Sequence, residues 1–454
     1  MAHILCITSG LTGILHASFE MVARMEAAGY RVTYASPREV GAKVKAQGFD
    51  YVQLHPLVSP LAPELAPISG PFRKWKRWWT KFQQAPQRRQ AGIAALHMEA
   101  FIQQVRQLKV DLLIIDVELH EHIMTAYTQK MPLLLLSQWF SLWKQPGLPP
   151  LVRDTLPGKG WAGTPFAIEW DWWRIKRQRW WMFQKQKWRS VATDRRSILL
   201  AYARQVGFPL AYLRDNYWPG PFTYSRLPVI SITAEELEFP HDKRSNLYYV
   251  GPMVYAQRKS EKSDDVVQRQ LTAIFLQCQK EQKALIYCSV STFKQGDTTF
   301  LKKLIKAVTD QPKWILVLGM GGLLNRAMLG DIPNNVHPFS WVPQLEILAH
   351  TDCSINHGGI HTINECIHFQ VPMLIYSGKR SDQNGCAARV AYHGLGIMAD
   401  KDQDDVSNIR QKITQILSHP SFRERMHAMH RIYQAYQKDG RFLQLLARFL
   451  PSSS

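Results

Sequence analysis

The chain has 454 residues, 46% of them hydrophobic and 20% charged, a globular composition that excludes a disordered protein and, at roughly 100–200 residues per domain, implies two or three domains. Its 56 Lys and Arg outnumber 36 Asp and Glu, and the formal net charge of +20 favours anionic partners: nucleic acid, acidic lipid or phosphorylated ligands. The six cysteines (Cys6, Cys278, Cys288, Cys353, Cys366 and Cys386) are scattered without a C-x-x-C pair, which argues against a zinc module or a disulfide framework and fits a reducing cytosol.

His3–Thr8 reads as an apolar strand, Ser9–Gly13 as a turn, and Phe19, Met21, Val22 and Met25 as one helical face that Gly29 ends. The opening lacks a basic leader and carries Ser9, Gly10, Thr12 and Gly13, so it reads as a buried strand rather than a signal peptide. Further strands are expected at Arg31–Ser36, Tyr51–Leu54, Asp111–Ile115, Pro132–Ser137, Val229–Thr233 and Tyr248–Val250. A polar run from Gln257 to Asp265 reads as a linker before a helix. A second series follows at Ala284–Cys288, Trp314–Leu318, Val336–His337, Cys353–Ile355 and Met373–Tyr376, and Pro420 onward reads as helical. Two doubly wound halves place a ligand cleft between the carboxyl ends of their sheets. No apolar run approaches the roughly 18 residues that a membrane span needs. The first loop lacks a full G-x-G-x-x-G, and Ser36-Pro37 stands where an acid would close the second strand, which argues against nicotinamide or flavin binding.

The chemistry concentrates in Trp341-Val-Pro-Gln344, His357-Gly-Gly-Ile-His-Thr-Ile-Asn-Glu365 and Asp382-Gln383. Glycines at a strand–helix junction let backbone approach a phosphate, and the free N–H groups of a helix start favour an anion. Within that frame His357 and Thr362 are phosphate donors, Glu365 can chelate two neighbouring hydroxyls of a ribose, and Trp341 offers a flat face to a base. Each residue alone would more often be core, turn or solvated helix face; the constellation carries the reading.

These elements, together with Tyr249-Val-Gly-Pro252 and Tyr287-Cys-Ser-Val-Ser-Thr292, strongly resemble the donor-binding signature of bacterial-type family 1 UDP-sugar glycosyltransferases. The resemblance implies the α/β GT-B fold, two Rossmann-like doubly wound domains facing across a cleft. It also implies that Trp341 stacks on uracil with Gln344 near the nucleoside and that Glu365 holds the ribose. His357, Gly359, Thr362 and Thr292 would hold the diphosphate, and Asp382 and Gln383 the sugar. Implied boundaries are 1–252 for an acceptor-binding domain, 253–283 for a linker and first helix, 284–420 for the donor domain, and 421–454 for helices packing back toward the first domain.

The family's catalytic base is a His in the first loop, and here Ile14 stands in that slot with His16 two positions late. The expected pair is His16 with Asp116 as the carboxylate that orients it, as in a triad; Glu118, His120 and His122 are reserve bases. For His16 to reach the cleft, the expectation is that Leu15-His16 remains loop and that the helix begins near Ala17, capped by Ser18. No metal site is expected: Asp402-Gln-Asp404 resembles a D-x-D pair but reads as capping for the helix that follows.

Two segments, Phe72–Phe82 and Trp170–Trp188, hold nine of the fifteen Trp amid Arg and Lys with a single acid, Asp171. Trp75, Trp78, Trp79, Trp172, Trp173, Trp180 and Trp181 are read as an acceptor- or membrane-facing group, since Trp at headgroup level and basic residues toward anionic lipid compose an in-plane membrane helix. Pocket lining and ordinary packing are the other readings; nucleic acid is not expected. The whole predicts an inverting, metal-independent, cofactor-free hexosyltransferase, cytoplasmic and peripheral on a membrane, moving sugar from a UDP-sugar to a hydroxyl of a lipophilic acceptor. The alternatives are a soluble aromatic or polyketide acceptor, and a non-catalytic membrane-associated nucleotide-sugar binder.

Overall fold

The computed structural model describes residues 1–66, 69–215, 220–242, 245–259, 265–289, 298–321, 326–379 and 382–450. The first sheet comprises β1 (His3–Ile7), β2 (Arg31–Ser36), β3 (Asp50–Gln53), β4 (Leu112–Asp116), β5 (Leu133–Ser137), β8 (Val229–Ser231) and β9 (Leu247–Tyr249). Its spatial order is β3-β2-β1-β4-β5-β8-β9, with every pairing parallel. Between β5 and β8 a short hairpin, β6 (Leu213–Asp215) with β7 (Phe222–Tyr224), stands apart from it. The second sheet contains β10 (Ala284–Ser289), β11 (Trp314–Gly319), β12 (Val336–Phe339), β13 (Cys353–Asn356), β14 (Met373–Tyr376) and β15 (Gly396–Ala399). Its order is β12-β11-β10-β13-β14-β15, again all parallel.

Both sheets are covered on both faces, which is why β1, β4 and β5 read as unbroken apolar runs rather than alternating ones. In the first half the helices are α1 (Thr12–Ala27), α2 (Gly41–Ala46), α3 (Arg73–Gln83), α4 (Ala85–Ala94), α5 (Met98–Leu108), α6 (His120–Thr128), α7 (Pro165–Ser190) and α8 (Arg195–Gln205). In the second they are α9 (Asp265–Glu281), α10 (Thr298–Thr309), α11 (Gln344–Leu348), α12 (Ile360–His368), α13 (Gln383–Tyr392), α14 (Val406–Ser418), α15 (Pro420–Lys438) and α16 (Arg441–Ala447). In each sheet the order reverses, between β1 and β4 and between β10 and β13, and a doubly wound sheet binds ligands at that reversal.

Among the contacts that tie the halves together are a shared apolar core, a buried ion pair and a backbone hydrogen bond. Phe442, Leu445 and Leu446 of α16 share a core with Ile4 and Leu112. Arg389 of α13 donates to Glu238, both fully buried, and its guanidinium lies 4.6 Å from the Phe140 ring centroid. The Gly385 N–H on α13 donates to the Leu151 carbonyl at 2.9 Å. Removing one partner of a buried pair such as Arg389–Glu238 strands a charge, at about 3–5 kcal/mol.

The helix at the first loop starts earlier than expected. Gly10 at φ 72° turns the chain, Leu11 is the extended N-cap, and α1 runs regularly from Thr12. Ser18 is no cap: its hydroxyl donates to the Leu15 carbonyl from inside the helix at 2.8 Å. Toward the end, Asp405 caps α14 by accepting from the Asn408 N–H at 2.8 Å. Asp402 pairs with Lys379 at 2.9 Å, and Asp404 is buried against Tyr376 and Lys412.

Candidate active site

The turn after β13 gathers most of the donor-type residues. Asn356 Oδ1 accepts from the Gly358 N–H at 2.9 Å, and Gly358 takes φ 81°. A Cβ on Gly358 would lie 2.9 Å from Ile375 and 3.0 Å from the Gln383 carbonyl oxygen, so glycine alone closes the turn against the start of α13. Gly359 is the N-cap of α12 and abuts the His357 ring.

A cavity of about 460 Å³ lies between this turn and the amino end of α1. Trp341, Gln344, His357, Thr362 and Glu365 line it, as does His16 from the other half. Asp382 and Gln383 begin α13 beside Gly358 and outside that lining; Asp382 is buried near Cys386, and Gln383 Oε1 accepts from the Gly378 N–H at 3.0 Å. Thr292 lies outside the described residues.

Glu365 is 7% exposed. Its Oε1 accepts from Arg258 Nη1 at 3.2 Å and its Oε2 from Gln344 Nε2. Arg258 is a site residue that sequence reasoning missed, because it stands in a polar run that reads as linker. With Lys43 and Lys259, also on the cavity wall, it makes the space between the halves cationic.

His16 and His361 face that space alongside His357. Burial first, then Arg258, Lys43 and His361, pull the His16 pKa down to about 3, while burial and Arg258 pull His361 down to about 4. Both are therefore neutral at physiological pH, each with one lone pair. His361 was also missed, although it stands inside the quoted motif; its neighbour across the cleft explains Gly13. A Cβ on Gly13 would sit 2.7 Å from His361 Cδ2, and His361 Nε2 bonds Gln138 Oε1 at 2.6 Å, so one side chain of α12 bridges to α1 and to the loop after β5.

The expected dyad does not form. Asp116 is buried at the end of β4, where its oxygens accept from the Ser9 N–H at 3.0 Å and the Glu118 N–H at 3.1 Å, and no contact joins it to His16. The reason is the register of α1. A regular helix from Thr12 turns Ile14 into the core, fully buried with Ile4 and Cys6, and two residues on, about 200° around, His16 faces the cleft. His16 thus reaches the cleft within a helix, not by a loop. Of the reserve bases, His120 is buried with Nδ1 on the Tyr224 hydroxyl at 2.9 Å and Nε2 on the Gly220 carbonyl at 3.2 Å. His122 is buried against Phe101 at 4.9 Å. Neither lines the cavity. Burial and the neighbouring Asp116 push the Glu118 carboxyl up to about 8, against a pull from Arg38.

The aromatic group divides. Trp75, Trp79, Trp173, Trp180 and Trp181 are exposed. Trp78 is half-buried and donates to the Trp188 carbonyl at 3.2 Å. Trp172 departs from its expected surface position: it is 2% exposed and donates to the Leu148 carbonyl at 2.7 Å, because it falls on the inner face of α7 with Ile168 and Ile175.

The chain is similar in sequence and in fold to known glycosyltransferases. Residues 318–435 match the family described as erythromycin biosynthesis protein CIII-like, C-terminal domain. The NDP-glycosyltransferase YjiC of Bacillus subtilis is 28% identical over 214 residues, 46% of this chain and 50% of that protein. The oleandomycin glycosyltransferase of Streptomyces antibioticus is 26% identical over 400 residues, 87% of this chain and 78% of that protein. The chain spans about half or less of the first curated relatives it matches, at 50%, 40% and 36% of their lengths. Among solved structures, the glycotransferase of kitacinnamycin superposes with a TM-score of 0.66 at 21% identity, covering 99% of each chain. The calicheamicin glycosyltransferase CalG4 gives 0.62 at 18%, covering 100% of this chain and 99% of its own. At such identities the likeness establishes the GT-B architecture.

Proposed function

We propose that this chain is a bacterial-type family 1 glycosyltransferase that moves a sugar from a nucleoside diphosphate sugar to a hydroxyl of a small acceptor, with inversion. One observation carries the reading: five donor-type residues and a neutral imidazole from the opposite half line one cationic cavity at the carboxyl ends of both sheets. Trp341 stacks on the base, Glu365 and Gln344 hold the ribose, and His357, Thr362 and the open end of α12 hold the diphosphate. Asp382 and Gln383 bind the sugar. The nucleotide is uridine; the thymidine diphosphate in the names of two solved neighbours makes thymidine the alternative.

His16 takes the acceptor's hydroxyl proton, the acceptor oxygen bonds the anomeric carbon, and the bond from that carbon to the phosphate oxygen breaks with its electron pair leaving on the diphosphate. A pKa near 3 makes His16 a weak base, but a bound diphosphate offsets Arg258 and Lys43 and lifts it toward the working range. Lys43, Arg258, His357 and the helix start carry the charge of the leaving group, so transfer proceeds in EDTA.

Relatives named for oleandomycin and demethyllactenocin weigh slightly toward a soluble polyketide acceptor. The exposed aromatic and basic face of α3 and α7 weighs toward a peripheral enzyme that draws a lipophilic alcohol from an anionic membrane. Titration with UDP and dTDP tests the shared core. The parent binds at least one, and His357→Ala binds roughly ten- to hundredfold more weakly. Equal affinity in parent and variant would refute the site.

A further inference from the structure

A second cavity, in the first half, lies outside the cleft. It measures about 1010 Å³, between α7, the β6–β7 hairpin and the loop after β5. Its inner wall is aromatic, formed by the buried Trp143, Trp172 and Phe183. Its lining also carries six cations, Lys144, Lys176, Arg177, Arg179, Arg214 and Arg226, against one carboxylate, Asp215. That carboxylate is already taken by Arg196 at 2.6 Å, and Lys144 by Glu169. Among the described residues, Lys176, Arg177, Arg214 and Arg226 make no ion pair, and burial with the neighbouring Lys144 lowers the Lys176 pKa. Arg177 lies over the exposed Trp173 ring at 5.1 Å.

These cations, exposed at the cavity mouth, outnumber the nearby carboxylates, Asp215 and, beside Lys176, Glu169, and a multivalent anion would supply the missing negative charge. An aromatic wall beside them asks for apolar substance attached to that anion. Trp180, itself more than half exposed, stands on the cavity's rim, and the exposed aromatic side of α7 continues beyond it with Trp170 and Trp181. Trp78 joins α7 to α3, with its ring 5.9 Å from that of Trp188, and α3 adds Trp75 and Trp79.

We propose that this cavity binds the phosphate headgroup of an anionic lipid, with the first carbons of its chains on the aromatic wall. The occupant is a lipid rather than a nucleic acid, because the aromatics outside the cavity extend across two helices as Trp residues at a bilayer's headgroup level do. The proposal rests on the membrane reading above for the source of the lipid, and it is independent of the donor cleft.

The test uses the full chain, following intrinsic Trp fluorescence and calorimetry with dihexanoylphosphatidate kept below its micelle concentration. The comparison arms are dihexanoylphosphatidylcholine, inorganic phosphate, a short RNA, and phosphatidylcholine vesicles with and without phosphatidate. Dihexanoylphosphatidate is expected to bind, and the double variant Arg214→Gln with Arg226→Gln to weaken it at least about tenfold. UDP affinity serves as the folding control and is expected to stay unchanged. Trp75→Ala with Trp79→Ala is expected to lower vesicle binding while sparing the soluble lipid.

Equal binding of the two short-chain lipids, or no effect of the arginine pair, overturns the proposal. Binding of inorganic phosphate as tight as that of phosphatidate, or tighter binding of RNA, does so as well. Vesicle capture without phosphatidate binding leaves the membrane reading standing and removes the cavity site. Phosphatidate binding without vesicle capture does the reverse.

Discussion

Replacing Glu365 by Gln isolates the charge at the centre of the proposed donor site. The carboxylate is 7% exposed and has two donors, Arg258 and Gln344. Glutamine keeps the volume, so packing around α12 is preserved, but one oxygen becomes an amide that faces one of these donors and can no longer accept. A charge-assisted hydrogen bond is worth about 1.5–3 kcal/mol, and the ribose diol loses at least one. UDP affinity by calorimetry should therefore fall roughly ten- to hundredfold. The stranded Arg258 also costs stability, so the melting temperature should fall by a few degrees and recover partly in the double variant Glu365→Gln with Arg258→Gln. UDP affinity within about twofold of the parent in a folded Glu365→Gln protein would refute the ribose assignment.

His16→Ala should lose about 10²–10⁴ in turnover while leaving UDP affinity within a few-fold, and UDP should raise the His16 pKa from about 3 when followed by NMR. A pKa unmoved by UDP would contradict the account of how this base is activated. Glu118→Gln tests the buried carboxyl after β4. Its folded pKa near 8 exceeds the ordinary 4.5, so the folded state holds a proton that the unfolded state releases, and the parent loses stability as pH rises from 4.5 to 8. The variant should gain roughly 3–4 kcal/mol on the parent between pH 5 and pH 8, and parallel curves of melting temperature against pH would exclude this. Gly13→Ala should push the His361 ring away from Gln138, at about 1–2 kcal/mol, and let the His361 pKa rise from about 4; an unchanged His361 titration would show that the ring is held by something else.

The parallel sheets were legible because buried strands between helices leave unbroken apolar runs; β2 and β14 match their expected bounds, and the others shift by a residue or two. The edge strand β15 was missed because Gly396–Ala399 follows a turn and is only partly buried, which leaves no strong apolar run. The β6–β7 hairpin was missed because its strands have three residues each. The residues proposed for the donor were legible because they stand in short runs close together in sequence, and most of them line one cavity. Arg258 and His361 were not, since each becomes a site residue only through a contact across the cleft: Arg258 with Glu365, and His361 with Gly13 and Gln138. The helix phase at His16 was misjudged for a related reason. A motif slot fixes a sequence position, whereas the core that swallows Ile14 fixes which way the helix faces. The Trp segments disclosed their composition but not that Trp172 points inward.

The central claim is catalytic, and the direct measurement is product mass. The purified chain is incubated in EDTA with UDP-glucose or dTDP-glucose and a panel of hydroxylated acceptors, aromatic, polyketide and lipid, and the products are read by mass spectrometry beside His16→Ala. The account predicts an acceptor heavier by one hexosyl residue, with stoichiometric release of the nucleoside diphosphate, and loss of both in the variant. Failure of the folded protein to bind UDP or dTDP, or transfer that survives His16→Ala unchanged, would contradict it.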